Sequence, residues 1–371
     1  MTGGSPPAGA SRVTRLAPLD VALARWLEGV APAPPRPAAP LDAIGATLAE
    51  TVRAAEASPP SATALRDGWA LFAADTVGAT GYAPAFLPAA PVWVETGDPL
   101  PPGADAVLPD AALDRQGPLW ACLAAAAPGE NMRRAGGDVP AGTALAQAGQ
   151  TVTPALAAAL AAAGVAQVSI RLPQASLAAG LDPTAAAVLR ALLGPFGEIT
   201  SGPGPILVEA RGASAPAGPD ETPISAALAL SPGEGVGLAA RGGAAVLRLP
   251  RGFGPAVAAC LALLRPALDK AAGRAAAAPD LSLPLARKIS SRIGWSELAL
   301  LDVVDGWFAP LATGDVTIAA WARAKAWALI PPESEGAPAG AVLAAFSLPG
   351  GPHTPHPGEA DDRRAPDGDL A

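Results

Sequence analysis

Apolar positions at helical spacing run through residues 19–28 of the chain, which predicts an opening helix. A Pro-rich linker, residues 31–40, separates it from a second predicted helix over residues 41–57. From residue 61 to 138 the pattern shortens to β-like runs, clearest at 91–95 and 104–109, punctuated by Gly/Pro turns. Helical character returns at Thr153-Pro154, read as N-cap and first helical residue, and runs to about Ala163, where Gly164 closes it before a strand at 165–170. Residues 172–278 alternate strands with helices: a strand from Ala175, a helix at 185–193, strands at 206–208 and 244–249, and a helix at 255–272. Strand patterning resumes from 281 to 348, best defined at 298–304 and 341–348.

This punctuation predicts an α+β and α/β multidomain chain. The expected layout is a discontinuous helical linker domain (16–60 and 139–171), a small β domain (61–138), an α/β domain (172–278), a C-terminal β domain (279–348) and a disordered tail (349–371). With 371 residues the chain can bury several cores.

Composition narrows the chemistry. Half of the residues are apolar but only 4% are aromatic; the excess is alanine, which buries little area per residue. The longest apolar stretch, 154–168, is alanine-dominated and too short to span a bilayer. The start lacks an apolar signal region, so the cytoplasm is the expected compartment. The two cysteines, Cys122 and Cys260, fall in a predicted strand and a predicted helix and suit reduced, buried thiols. A net charge of −8, with no lysine before Lys270 and no basic run, gives no footprint for nucleic acid. Both histidines, His353 and His356, lie in the polar tail. That excludes Ser-His-Asp, Cys-His and His-ligated zinc chemistry, which need an imidazole in a packed site. Carboxylates, hydroxyls, backbone amides, arginines and a hard cation such as Mg²⁺ remain.

Three short motifs stand in the β region: Arg66-Asp67-Gly68-Trp69-Ala70, Thr96-Gly97-Asp98-Pro99-Leu100-Pro101, and Gly129-Glu130-Asn131-Met132-Arg133-Arg134 leading to Gly137-Asp138. Asp67, Thr96 and Asp138 offer oxygens from three turns of one domain, suited to orienting Mg²⁺ or an oxyanion near a phosphate. The same residues also suit plain turn chemistry, with side chains bonded to local amides. Arg133 and Arg134 could clamp the oxygens of phosphate or molybdate, or could simply end a strand at the surface.

In this order, followed by Ala141-Gly142-x-x-Leu145 and the Thr153-Pro154 helix, the motifs resemble the molybdopterin molybdenumtransferase family, which includes the gephyrin E domain. The resemblance extends over roughly residues 18–348. It implies insertion of molybdate into adenylylated molybdopterin with release of AMP, assisted by Mg²⁺. Asp67, Thr96 and Asp138 would then be catalytic, with Asp67 and Asp138 on the metal. Family members dimerise, with a site formed between the β domain of one subunit and the α/β domain of the other, so a homodimer is expected, and a client molybdoenzyme is a possible partner.

The α/β region departs from the family pattern. Where the family has a Ser-Thr-Gly-Asp-Glu-Leu type loop, this chain runs Ala178-Ala179-Gly180-Leu181-Asp182-Pro183, keeping Asp182 but losing the glutamate to proline. A Ser-Gly-Gly loop is represented by Ala210-Arg211-Gly212-Ala213-Ser214, and a Lys-Pro-Gly-Lys turn by Ser231-Pro232-Gly233-Glu234, without either lysine. Glu234 would repel a phosphate at contact distance by several kcal/mol at an effective dielectric of about 20. The Leu-Pro-Gly-Asn-Pro loop is lengthened to Leu249-Pro250-Arg251-Gly252-Phe253-Gly254-Pro255. The expected substrate-binding set is therefore Arg133, Arg134, Asp182, Arg211, Gly212, Ser214, Gly233 and Arg251, with Arg211 and Arg251 replacing the lost cations. The distance from Gly180 to Ser214 is short for the family and implies trimmed elements.

Two functions follow from the resemblance: an active molybdenumtransferase, or a cofactor-holding or molybdoenzyme-docking scaffold that has lost turnover. A third reading, an unrelated sugar- or nucleotide-binding enzyme, uses the Asp/Gly turns alone.

Overall fold

The computed structural model describes residues 16–210 and 220–348. Arg211, Gly212 and Ser214, and the tail expected to be disordered, lie outside the described residues. The helices are α1 (Leu19–Glu28), α2 (Pro154–Ala162), α3 (Pro183–Leu193), α4 (Phe253–Ala259), α5 (Arg265–Ala272) and α6 (Ile318–Arg323). The architecture is a mixed α and β, multidomain one, rich in short strands. It divides into two compact units, one formed by residues 36–44 and 48–170, the other by the described residues among 16–35, 45–47, 171–210 and 220–348.

In the first unit, strand Gly68–Leu71 lies between Val92–Val94 and Ala106–Leu108, antiparallel to both. Alternation along the strand splits its contacts. Ala70 packs with Val94 and Val107 on one side, and Leu71 with Leu108, Leu87 and Cys122 on the other. Gly68 has no alternative residue: an added Cβ would lie 2.3 Å from the Leu108 carbonyl oxygen. Thr153 caps α2 by accepting from the Leu156 N–H at 3.1 Å, with Pro154 at the first helical position and Gly164 (φ +75°) beyond its end.

Two expectations fail here. The helix predicted over 41–57 is a single 3₁₀ turn, Leu41–Ala43, followed by strands Thr47–Leu48 and Val52–Arg53. Gly45 sits at φ +85°, which breaks any helix, and Val52–Arg53 pairs with Ala144–Ala146 instead. The Pro-rich linker contains strand Arg36–Ala38, which pairs with residues 168–170.

The second unit is built on a six-stranded sheet in the order Glu198–Ser201, Gln174–Leu177, Ile206–Ala210, Ala244–Leu249, Gly237–Arg241, Glu221–Ser225. The first four run parallel, and Gly237–Arg241 is antiparallel to its neighbours on both sides. One face presents Ala175, Leu177, Ile206, Val208 and Leu247 to a core shared with α3, α4 and α5. The opposite face carries Ser176, Glu209, Arg248 and Arg241. There Glu221, whose side chain is wholly buried, is held by Arg241 at 2.8 Å and Arg248 at 2.5 Å, while Arg241 also grips Glu209 at 2.6 Å. The Arg241 bond holds the Glu209 carboxyl below its usual range.

Residues 202–205 alone carry the chain from strand Glu198–Ser201 past Gln174–Leu177 to Ile206–Ala210. Parallel strands are ordinarily linked by a crossover of a dozen residues or more, usually a helix. The strap passes so close that a Cβ on Gly204 would lie 2.1 Å from Ser176 Oγ, itself bonded to Thr200 at 2.9 Å.

The helix predicted over 255–272 runs from Phe253 to Ala272 but passes through a π turn at Cys260–Leu264. Pro266 explains the wider turn, because it lacks an N–H and its ring crowds the carbonyl four residues earlier. Both cysteines are buried and free, and burial pushes the Cys260 thiol far up. In the C-terminal region, Ser296–Val304 pairs with Trp307–Thr313 through Asp305-Gly306, both at positive φ as a two-residue hairpin requires. Among the described residues no helix is long and apolar enough to cross a membrane.

Candidate functional site

The three motifs of the β region form one small ribbon. Met132 and Arg133 pair with Ala64 and Thr63; on the other side Thr63 bridges Pro99, the Ala64 N–H donates to the Asp98 carbonyl, and Gly97 donates to Ala64. Asp67 and Thr96 meet across the ribbon. The Thr96 backbone N–H and hydroxyl both donate to Asp67 Oδ1, at 2.7 and 2.8 Å. These bonds, the hydroxyl's first, hold the Asp67 carboxyl below its ordinary value. Asp138 is tied to Arg133 by a 2.9 Å salt bridge, and its backbone N–H donates to the Ser58 carbonyl. Each of the two carboxylates keeps one oxygen without a bond among the described residues. Arg134 is exposed and likewise makes no ion pair or side-chain hydrogen bond among them.

In the second unit, Asp182 and Arg251 follow the carboxyl ends of the parallel strands Gln174–Leu177 and Ala244–Leu249, the usual place for ligands in such sheets. A cavity of about 570 Å³ opens there between Leu177–Leu181 and Ser201–Pro203, with Arg190 of α3 on its rim. Asp182 is the N-cap of α3: its carboxylate accepts from the Ala185 N–H at 3.0 Å, and Pro183 is the first helical residue. The proline that displaces a carboxylate from the loop is thus a helix-start residue, which moves the start of the predicted 185–193 helix back to Pro183.

The Ser231–Glu234 turn is closed by its own acid. Glu234 accepts from the Gly233 N–H at 3.1 Å and lies 3.0 Å from Ser231 Oγ, whose one proton it shares with the Gly314 carbonyl at 2.8 Å, and Arg292 Nη2 lies 3.9 Å away. Gly233 is at φ +141° and a Cβ there would press on the Leu230 side chain at 3.0 Å. Gly254 brings the 250–254 loop alongside, since its Cβ would lie 3.4 Å from Pro232 Cγ. Arg251 on that loop is exposed and unpaired among the described residues.

Two arginines escape the sequence reading. Arg190 could have been found as the residue two turns along α3 from Asp182. Arg292, stacked on Trp295 at 4.1 Å and bonded to Glu297 at 2.7 Å, comes from a distant segment and had no local signal. Among the described residues no three His, Cys, Asp or Glu side chains cluster as a metal site.

Residues 17–164 match the family described as the MoeA N-terminal region, domains I and II. Over 145 residues the chain is 37% identical to molybdopterin molybdenumtransferase 2 of Mycobacterium tuberculosis, from strains CDC 1551 / Oshkosh and ATCC 25618 / H37Rv alike. That match spans 34% of this chain and 36% of the relative, so just over a third of the relative's length is matched. The fold is similar to that of the molybdopterin biosynthesis moeA protein of Pyrococcus horikoshii, with TM-scores of 0.72 and 0.73 in two structures at 20% identity, covering 90% of this chain and 99–100% of those. A molybdenum cofactor biosynthesis protein of Pyrococcus furiosus is similar at TM-score 0.60 and 15% identity, again over 90% of this chain and all of that one.

Proposed function

We propose that the chain, whose residues 17–164 match the MoeA N-terminal region, acts in molybdenum-cofactor biosynthesis, inserting molybdate into adenylylated molybdopterin with release of AMP. The observation that carries this reading is the ribbon that unites the three motifs, all within the matched N-terminal region. Asp67, Thr96 and Asp138 are the proposed catalytic residues. Thr96 orients Asp67 and keeps it ionised, so that its free oxygen faces outward as a hard ligand. Arg134 has open donors for the oxygens of molybdate or phosphate, and Arg133 can exchange Asp138 for the same kind of anion. In the second unit Arg190 and Arg251 are the proposed anion ligands beside Asp182 and Gly233, with Arg211, Gly212 and Ser214 completing the set.

Asp67 and Asp138 each keep one unbonded oxygen, the donor type Mg²⁺ takes from one or two protein carboxylates while water and substrate phosphate complete its shell. Asp67 and Asp138 would hold it, and when bound it neutralises phosphate charge. We further propose a homodimer in the cytoplasm, built from the linker, small β, α/β and C-terminal β domains set out above, that serves a client molybdoenzyme.

Incubation of the purified protein with adenylylated molybdopterin, molybdate and Mg²⁺ should release AMP. Asp67→Asn should lower the rate by about 100-fold or more. No release above a protein-free blank, with the cofactor still retained on the protein, would replace the transferase by a scaffold that holds cofactor without turnover.

A further inference from the structure

A second cavity, of about 540 Å³, shares no lining residue with the one beside Asp182. It lies between α5 and the strands Ala326–Ile330 and Val342–Ser347, with Leu261, Pro266, Leu329 and Phe346 among its walls. Trp327 stacks on Phe346 with ring centres 4.5 Å apart and stiffens one side. Its volume is in the range of small-molecule sites, about 300–1,000 Å³.

Its charge runs against that of the chain. The protein carries 33 acidic against 25 basic residues, yet the ionisable groups lining this cavity are Arg265, Lys270 and Arg274 against Asp269 alone. Arg274 is committed, to Asp269 at 2.8 Å and the Phe196 carbonyl at 3.0 Å. Lys270 donates to the Leu27 carbonyl, a neutral acceptor. Arg265 is different. Its guanidinium is held 4.5 Å over the Phe196 ring, and the nearest carboxylate oxygen, on Asp269, is 3.9 Å away, beyond a hydrogen bond. Its Nε is buried without an acceptor among the described residues, and so is the indole N–H of Trp327, a residue only 5% exposed. Arg265, Leu261 and Trp327 also line a smaller adjoining cavity of about 190 Å³, so the guanidinium, within ion-pair reach of Asp269 and under the field of Asp280 but with its Nε–H unbonded, faces apolar space on two sides.

An apolar occupant would leave these buried donors unsatisfied, and a neutral polar one would not offset the excess of cations. We propose that this cavity binds a small amphiphilic carboxylate, its hydrocarbon or aromatic body against Leu261, Leu329 and Phe346 and its head on Arg265.

The probe is 1-anilinonaphthalene-8-sulfonate, an apolar body with an anionic head, added to the full-length folded protein. Its fluorescence should rise saturably at one site, and octanoate should displace it at least about tenfold more tightly than octan-1-ol. Arg265→Met, which keeps the apolar stem and removes the guanidinium, should abolish that preference at an unchanged unfolding midpoint. If that variant does not fold, Ala262→Trp, which fills the cavity, should remove dye binding instead. Equal displacement by acid and alcohol, or a preference that survives Arg265→Met, overturns the proposal. So does dye exclusion by a dimer seen in light scattering, which would assign the face to a second copy of the chain.

Discussion

In the β region the motif side chains bond to one another and leave oxygens and guanidinium groups open, whereas in the α/β region the corresponding turns are closed by the chain's own groups. Asp67 is held by Thr96 yet keeps an unbonded oxygen, and Arg134 is free among the described residues. By contrast, Asp182 serves as a helix cap and Glu234 engages the hydroxyl and amide of its own turn. A turn can therefore keep its backbone shape while its donors are taken over by an internal carboxylate. What distinguishes a ligand site from a structural turn is which groups remain unsatisfied, not the path of the backbone.

The contrast can be broken most forcefully through the glycines. Gly68→Ala drives a Cβ into a backbone carbonyl that cannot swing aside, and should destabilise the protein by about 3 kcal/mol in denaturant unfolding. Gly233→Ala meets a side chain that can shift, although at positive φ, and should cost about 2 kcal/mol. Equal costs would mean that both motifs are equally built into their packing.

Asp182→Ala should cost about 1 kcal/mol if the residue is chiefly a cap for α3, because the Ala185 N–H loses its acceptor. An unchanged unfolding midpoint with weakened binding of adenylylated molybdopterin would instead make Asp182 a substrate ligand.

The smallest effect is expected at Thr96. Thr96→Val removes the hydroxyl donor, so the Asp67 carboxyl should rise toward its ordinary value of 3.8, as read by carboxylate NMR. The folded carboxyl titrates below its unfolded value. Any stability it adds is therefore present above the unfolded pKa and lost as pH falls through the folded one, within a window below about pH 4. An Asp67 titration unmoved by the substitution would place the cause outside this pair.

The sequence carried the β region well because its motifs are turns, and turn chemistry is local: Gly97, Gly129 and Gly136 all adopt the positive φ that only glycine takes easily. It misled over 41–57, where Leu41, Ile44, Leu48 and Val52 recur three and four residues apart as on a helix. Leu41 is 60% and Ile44 46% exposed, so they never form one buried stripe. The Arg265–Phe196 contact, Arg292 beside Glu234, and the Gly204 strap over Ser176 join residues far apart in the chain or depend on a close approach, and no local pattern encodes them.

The most direct test of the internal-carboxylate account is a calorimetric titration of pyrophosphate into the wild-type protein and into Glu234→Lys. If Glu234 occupies the donors of its turn, wild type should take up the anion weakly and the variant at least about tenfold more tightly. Tight uptake by wild type that Glu234→Lys leaves unchanged would contradict it.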